Sequence, residues 1–348
     1  MRPVSTIKEI ARLSGVSRGT VDRVLNDRGA VNPDTAAKIR AIAKAVNYSP
    51  NRAGKTLAVK KKQLKFGFIL FSSTASNPFF LDLVRGIEEQ REFLKEYGAS
   101  VEIRYAAIDN PDLQISLVDE LLAEGIDGLV IAPINHPTVA QRLRKLTKTG
   151  FPVVTTNSDI PDCGRIAYVG SNYYKSGETA AGLMNLIGQG SANVGIITGS
   201  PWVLCHSERV AGFIDRIGEC YPGIRIIDTA VNNDDDLDSF SVTRKMLKAH
   251  PEIDALYLAA AGVQGACRAL EDLGLSGKIK VISYDVTETN RRLVEEGAIV
   301  ATIAQQPFTQ GAKPLDILLD YLGMGVKPDK DCFYTKIEIK IKENLYTE

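Results

Sequence analysis

Residues 6–26 read TIKEIARLSGVSRGTVDRVLN, and the way this stretch folds decides how the rest of the chain is read. Ile7, Ile10, Ala11 and Leu13 give its first half one apolar helical face. Gly15 stands where a tight turn needs a residue free to adopt positive φ. Ser17 is placed to N-cap a second helix with its hydroxyl. Val21, Val24 and Leu25, three and four apart, turn that helix's apolar face back on the first. Its other face is left with Arg18, Gly19, Thr20, Asp22, Arg23 and Asn26. Two short helices joined by a Gly-containing turn make a helix-turn-helix, whose second helix fits a DNA major groove. A helical hairpin inside a core is the plain alternative.

The flanking sequence favours the first reading. Asn32-Pro33-Asp34 supplies an N-cap, a proline at the first helical position and an acid near the positive end of a third helix. Ile39, Ile42, Ala43 and Val46 form its buried stripe, and Asn47 ends it. Residues 1–49 are therefore expected to form an all-α head. Residues 50–63 read as a basic linker with a short helix near 52–59, weakened by Gly54 and too short to stand alone. Leu57 is a large apolar side chain in that linker with no core near it. Charge is segregated: residues 1–65 hold 15 Lys and Arg against 4 Asp and Glu, and the remainder holds 27 against 38, although the whole chain balances at 42 and 42. A basic arm on an acidic body points the arm at a polyanion.

From residue 64 to 348 strands and helices alternate. Strands are expected at 65–71, 100–106, 128–132, 153–157, 167–170, 194–198, 225–230, 255–259, 280–284 and 300–305, with nine helical patterns between and after them, from 79–97 to 309–322. Runs such as FGFIL, GLVIA and NVGII are apolar throughout, as parallel strands covered on both faces require. About ten strands imply an α/β body of two doubly wound parallel sheets with a cleft between them. No GxGxxG or Walker A loop is present, so no nucleotide cofactor is expected. The histidines His136, His206 and His250 lack metal-ligand spacing, so no metal is expected either. Cys163, Cys205, Cys220, Cys267 and Cys332 are odd in number and scattered, which reads as free thiols in a reducing cytoplasm. Neither a secretion signal nor an apolar run of membrane length is apparent. With no nucleophile–base pair in view, an enzyme is not expected.

In open α/β sheets ligands bind beyond the carboxyl ends of the strands. Those ends here carry Asn77-Pro78-Phe79-Phe80, Asn157-Ser158-Asp159, Ser200-Pro201-Trp202 followed by Glu208-Arg209, Tyr284-Asp285, and Gln305-Gln306. Aromatic faces with amides, one Asp and one Arg suit a polyhydroxylated or zwitterionic small molecule.

The order of these parts resembles the lactose/galactose-repressor (LacI/GalR) family of bacterial transcription regulators over nearly the whole chain. The head is similar in T-I-x-E-I-A-x-x-[AS]-G-V-S-x-x-T-V-x-R-V-L-N, then in Asn47-Tyr48, Pro50-Asn51, Ala53 and the linker leucine. The body resembles type I periplasmic sugar-binding proteins of the ribose-binding group in NPFF, SER at 207–209, Tyr284-Asp285 and ATIAQ at 301–305. The resemblance implies base reading by Arg18, Gly19 and Arg23, although Gly19 has no side chain to read with, and further DNA contacts by Thr6, Ser17, Thr20, Asn26, Asn51 and Arg52. It implies that Leu57 wedges into the minor groove. It implies effector contacts at Asn77, Phe79, Phe80, Asn157, Ser158, Arg209, Asp285 and Gln305, with Trp202 as replacement stacking. Asn157-Ser158 departs from the Asp-Arg usual in ribose binders, and 259–262 from the usual Asn-Asp.

The expected function is a repressor-type regulator acting as a homodimer on a near-palindromic operator, without membrane contact. Its operator affinity would be set by a sugar or sugar-like effector closing the two lobes. Control by a protein partner, or by a cyclitol or opine, are the alternatives. Lobe one is expected at 64–165 with 306–330, and lobe two at 166–305 with 331–348.

Overall fold

A computed structural model of the chain describes residues 7–25, 31–45, 59–72 and 77–346. Contacts divide it into an amino-terminal unit, Met1–Gln63 with Glu96–Gly98, and a larger unit formed by the remainder.

In the first unit α1 (Ile7–Ser14), α2 (Arg18–Leu25) and α3 (Pro33–Ala45) pack around Ile10, Val21 and Ile39, which are fully buried, with Ala11, Val24, Ala36 and Ala43 beside them. Gly15 takes φ 74° between the first two helices. The Ser17 hydroxyl accepts from the Thr20 amide at 3.1 Å, and Asn32 caps α3 through the Asp34 amide at 2.9 Å. Leu13, expected on the buried face of α1, is 43% exposed. Ser14 is buried instead, its hydroxyl donating to the Ile10 carbonyl at 2.6 Å, so the stripe runs through 10, 11 and 14.

The second unit holds two six-stranded sheets. With strands numbered along the chain, the first sheet has the order β11-β5-β4-β3-β1-β2: Cys332–Tyr334, Ala167–Gly170, Val153–Thr156, Gly128–Ile131, Lys65–Phe71 and Ser100–Ala106. The second has the order β12-β10-β9-β8-β6-β7: Glu338–Lys340, Ala301–Ala304, Lys280–Tyr284, Ala255–Leu258, Ala192–Thr198 and Ile224–Val231. Pairing is parallel except where β12 meets β10. The 2-1-3-4-5 order in one sheet and 7-6-8-9-10 in the other is doubly wound, with switch points beside β1 and β6. The helices of lobe one are α4 (Phe79–Glu96), α5 (Pro111–Ala123), α6 (Pro137–Thr147) and α12 (Pro307–Leu318); those of lobe two are α7 (Tyr173–Ile187), α8 (Leu204–Cys220), α9 (Asp236–Ala249), α10 (Val263–Asp272) and α11 (Glu288–Glu295). The apolar runs lie where continuous burial requires: six of the seven residues of β1 are buried.

One expected division moves. Val154–Thr156 pair with Ala167–Val169, and Cys332–Tyr334 pair outside them. Both strands therefore belong to the first sheet, and the crossovers fall after Gly170 and after Tyr334 rather than at 165/166 and 330/331. A parallel strand finds its partner across a long loop, which local sequence does not encode.

Each lobe brings two helices into backbone contact at glycines. A Cβ on Gly86 of α4 would lie 2.2 Å from the Phe308 carbonyl oxygen, and one on Gly311 of α12 2.0 Å from that of Leu83. In lobe two Gly177 of α7 and Gly212 of α8 stand likewise, 2.1 Å from the Arg209 oxygen and 2.0 Å from that of Tyr174.

Candidate functional site

The cleft between the sheets is built from strand ends. After β1, the first turn of α4 places Phe79 and Phe80 as a nearly buried aromatic wall, their rings edge to face at 5.3 Å, with Phe80 also 5.8 Å from Phe71. Asn77 stands beside them on the same voids.

Opposite, α8 carries Arg209, 3% exposed. Its Nη1 donates to the Ala259 carbonyl at 2.9 Å, and its guanidinium lies over the Tyr284 ring at 3.7 Å and the Tyr173 ring at 5.2 Å. Burial opposes its charge, but Cys205, Tyr284 and Asp285 face it and hold its pKa above the ordinary value. Asp285, at the end of β9, has φ 72° and accepts from the Gln305 amide at 2.6 Å. Burial raises its pKa, while Arg209 and Gln305 work the other way.

Hydrogen bonds tie these groups to the crossovers. The Gln305 backbone carbonyl accepts from Gln310 Nε2 at 2.8 Å, and Gln310 Oε1 accepts from Asn157 Nδ2 at 3.2 Å. The Asn157 carbonyl takes the Tyr173 hydroxyl at 2.5 Å and the Tyr168 hydroxyl at 3.1 Å. Asn157, Asp234 and Asp285 all have positive φ at strand ends, a conformation Asn and Asp tolerate better than other side chains and one that clusters at functional sites.

Asn77, Phe79, Phe80, Asn157, Arg209, Asp285 and Gln305 thus line one void of about 30 Å³, and Asn77, Phe79 and Asp285 also line a second of the same size. Two other expected residues lie elsewhere. Ser158 is fully buried and lines neither void. Trp202 is 40% exposed; its ring packs at 4.9 Å on His136, and its carbonyl accepts from the Asn135 amide at 2.8 Å. It bridges the lobes rather than stacking on the site.

The structure adds a pair that sequence reasoning missed. His206 and Asp234, both nearly buried, line the same void as Arg209, with His206 Nε2 3.4 Å from Asp234 Oδ1. His206 Nδ1 faces the Ser200 carbonyl at 3.0 Å, and Asp234 Oδ1 accepts from the Ala261 amide at 3.1 Å. Burial disfavours the imidazolium, yet Asp234 and Cys205 outweigh it and push His206 up to about 9. An imidazole–carboxylate pair is therefore supplied by the first turn of α8 and the loop after β7. His206 is three residues before Arg209, on one face of α8; that spacing was the available signal.

In the head, Arg18, Gly19 and Arg23 are exposed on α2, and Arg23 Nε donates to the Gly19 carbonyl at 3.2 Å. Thr20 is half-buried against the Ser17 hydroxyl at 2.9 Å. Thr6, Asn26, Asn51, Arg52 and Leu57 lie outside the described residues.

The trihelical unit and the two-lobed body with a polar interlobe cleft have the form of a DNA-binding head joined to a periplasmic-binding-protein-like domain. The profile "Bacterial regulatory proteins, lacI family" matches residues 6–51, and "Periplasmic binding protein domain" matches residues 67–325. The chain is 30% identical over 249 residues to "Ribose import binding protein RbsB" of Bacillus subtilis (strain 168), covering 71% of this chain and 78% of that protein. It is 26% identical over 323 residues to "Catabolite control protein A" of Priestia megaterium, covering 91% and 92%. The structure is similar to that of an ABC transporter solute binding protein from Burkholderia graminis C4D1M in complex with D-arabinose, with a TM-score of 0.75 and 25% identity over 82% of this chain and 97% of that one. The chain belongs to the lacI family of bacterial regulatory proteins, with a periplasmic-binding-protein body. No helix among the described residues is long and apolar enough to cross a membrane.

Proposed function

We propose that the protein is a cytoplasmic repressor that binds a near-palindromic operator as a homodimer and is controlled by a small, sugar-like effector held between its lobes. The observation that carries the effector half is the pairing of the Phe79–Phe80 wall with Arg209, Asp285 and Gln305 in one cleft: apolar faces for a ring, and hydrogen-bonding groups for its edges. The D-arabinose complex of the similar solute binding protein supports the same class of ligand. The exposed Arg18 and Arg23 on α2 support the DNA half, since Arg suits a guanine edge and the basic head suits phosphate. The effector acts through different affinities for DNA-competent and DNA-incompetent states.

The test is selection of duplexes from a random library on the full-length chain, followed by fluorescence anisotropy across a salt series. The selected sites should be near-palindromes, and affinity should fall steeply with salt. Leu57→Ala should weaken operator binding more than binding to a random duplex. Absence of salt-sensitive binding to every duplex rejects the reading.

A further inference from the structure

Among the described residues, three polar side-chain atoms around the cleft are buried without a hydrogen-bond partner: Asp234 Oδ2, Gln305 Oε1 and Arg209 Nε. All three residues line one void. The first two atoms only accept and the third only donates. The orientation of the Gln305 amide is fixed, because its Nε2 donates to Asp285 at 2.6 Å. Asp234 is held just as firmly by the other oxygen, through the Ala261 amide and His206. The backbone at Gly199 leaves room for the pair: a Cβ there would lie 2.4 Å from His206 Cε1 and 2.7 Å from Asp234 Oδ2. A buried polar group normally pairs with protein or ordered water, and a ligand in the void that all three residues line would supply the same pairing.

Charge narrows the partner. Arg209 faces Asp285, and His206, raised to about 9 and therefore protonated at neutral pH, faces Asp234. The charged and titratable groups around His206 are Asp234, Cys205, Arg209 and Asp285. Asp236, on the adjoining void, lies in the first turn of α9 and accepts from the Gly265 amide at 3.0 Å, so the helix end compensates it. A ligand with a net charge would leave one side of these pairs uncompensated in a buried site.

Resting on the effector-site reading above, we propose that Asp234 is a specificity-determining residue of the cleft. Its Oδ2 accepts from one ligand hydroxyl, Gln305 Oε1 accepts from a second, and Arg209 Nε donates to a ligand oxygen. The ligand is then an uncharged polyol, aldose or cyclitol, rather than an amino sugar or an opine.

The experiment is isothermal titration of the full-length chain with D-ribose, D-arabinose, D-allose, myo-inositol, D-glucosamine and D-galacturonate, repeated on Asp234→Asn and Asp285→Asn. For the tightest ligand, each monodeoxy analogue is titrated as well. The expected result is an uncharged best ligand whose affinity falls about 10- to 100-fold in Asp234→Asn, as for loss of a hydrogen bond to a charged group. One deoxy analogue should show the same loss on the unaltered chain and no further loss on Asp234→Asn. The deoxy series on the unaltered chain decides the matter if the variant does not fold: equal affinity for every deoxy analogue overturns the proposal. If Asp285→Asn loses binding while Asp234→Asn binds like the unaltered chain, the role of Asp234 falls and the effector site stands. If neither variant changes affinity, or no probe binds at millimolar concentration, both fall. A charged best ligand overturns the polyol assignment.

Discussion

The Arg209 guanidinium lies 3.7 Å above the centroid of the Tyr284 ring. That ring is fixed from behind, because its hydroxyl accepts from Ser176 at 3.0 Å and meets the Tyr257 hydroxyl at 2.9 Å. The cation therefore sits on a preset platform, with Nη1 held by the Ala259 carbonyl. Tyr284→Phe keeps the platform but removes the bonds to the Ser176 and Tyr257 hydroxyls, the latter keeping the Arg209 carbonyl at 3.5 Å; it should cost about 1–2 kcal/mol of stability, with effector affinity largely kept. Arg209→Lys loses the planar fork and the stacking and should abolish the effector's thermal shift. Arg209→Ala, which removes one of the two cations acting on Asp285 and strands the Ala259 carbonyl, should destabilise by about 1–3 kcal/mol. Urea unfolding with and without effector separates the three; equal ligand response in Arg209→Lys and the unaltered chain would remove Arg209 from the site.

His206 makes stability depend on pH in an unusual direction. Its folded-state pKa is about 9 against an ordinary 6.5, so folding favours the imidazolium. The stabilisation is complete below about pH 6.5 and is lost as pH rises through 9. At ~1.4 kcal/mol per pKa unit, the loss is up to about 3 kcal/mol. Urea midpoints measured from pH 6 to 10 should fall over that window, and His206→Gln should flatten the fall. An unchanged slope in that variant would place the titration elsewhere.

The glycines of α8 differ in a way that isolates packing from propensity. Gly212→Ala drives a Cβ to 2.0 Å from the Tyr174 carbonyl, on the helix that carries Arg209, and should cost about 1–3 kcal/mol through displaced backbone. Gly218→Ala, six residues on, meets nothing within 4 Å and should gain up to ~1 kcal/mol from helix propensity. Thermal unfolding of the two variants should move in opposite directions. A shared direction would mean that α7 and α8 are not in contact at Gly212.

Much of the fold was legible because its strands are apolar from end to end, as in FGFIL of β1, and such runs have few other uses. The strand-end residues that line the voids could be placed for the same reason: Asn77, Phe79, Phe80, Asn157, Asp285 and Gln305 stand at the strand ends, where a doubly wound sheet holds a ligand when it has one. His206 was not, because a histidine in the first turn of a helix reads as a packing residue. Asp234 was hidden in the run Asn232-Asn233-Asp234-Asp235-Asp236, which reads as a solvated turn and in which Asp235 is indeed the N-cap of α9. The pair exists only once β6 and β7 are adjacent, and Gly199, whose hydrogen in place of a Cβ admits both side chains, gives no sign of this on its own. Trp202 misled for the converse reason: an aromatic after a strand end suits the mouth of a cleft as well as its floor, and only the contact with His136 separates the two.

Gly19 tests the head without touching the body. It occupies the second position of α2, is exposed, takes no positive φ, and beyond its own helical turn a Cβ there would meet nothing nearer among the described residues than the Ser17 hydroxyl at 3.8 Å. The fold thus has no use for a glycine there, and alanine should raise the stability of the head by up to ~1 kcal/mol. Glycine at an exposed helix position with free space is instead expected where backbone must approach another molecule closely. Gly19→Ala should therefore raise the thermal midpoint of the head while weakening operator binding severalfold, with binding to random duplex and its salt slope nearly unchanged, since no cation is removed. Anisotropy on the selected operator and a scrambled duplex, read beside the melting curve, gives the answer. A more stable head with undiminished operator affinity would show that DNA does not come that near to α2 at this position.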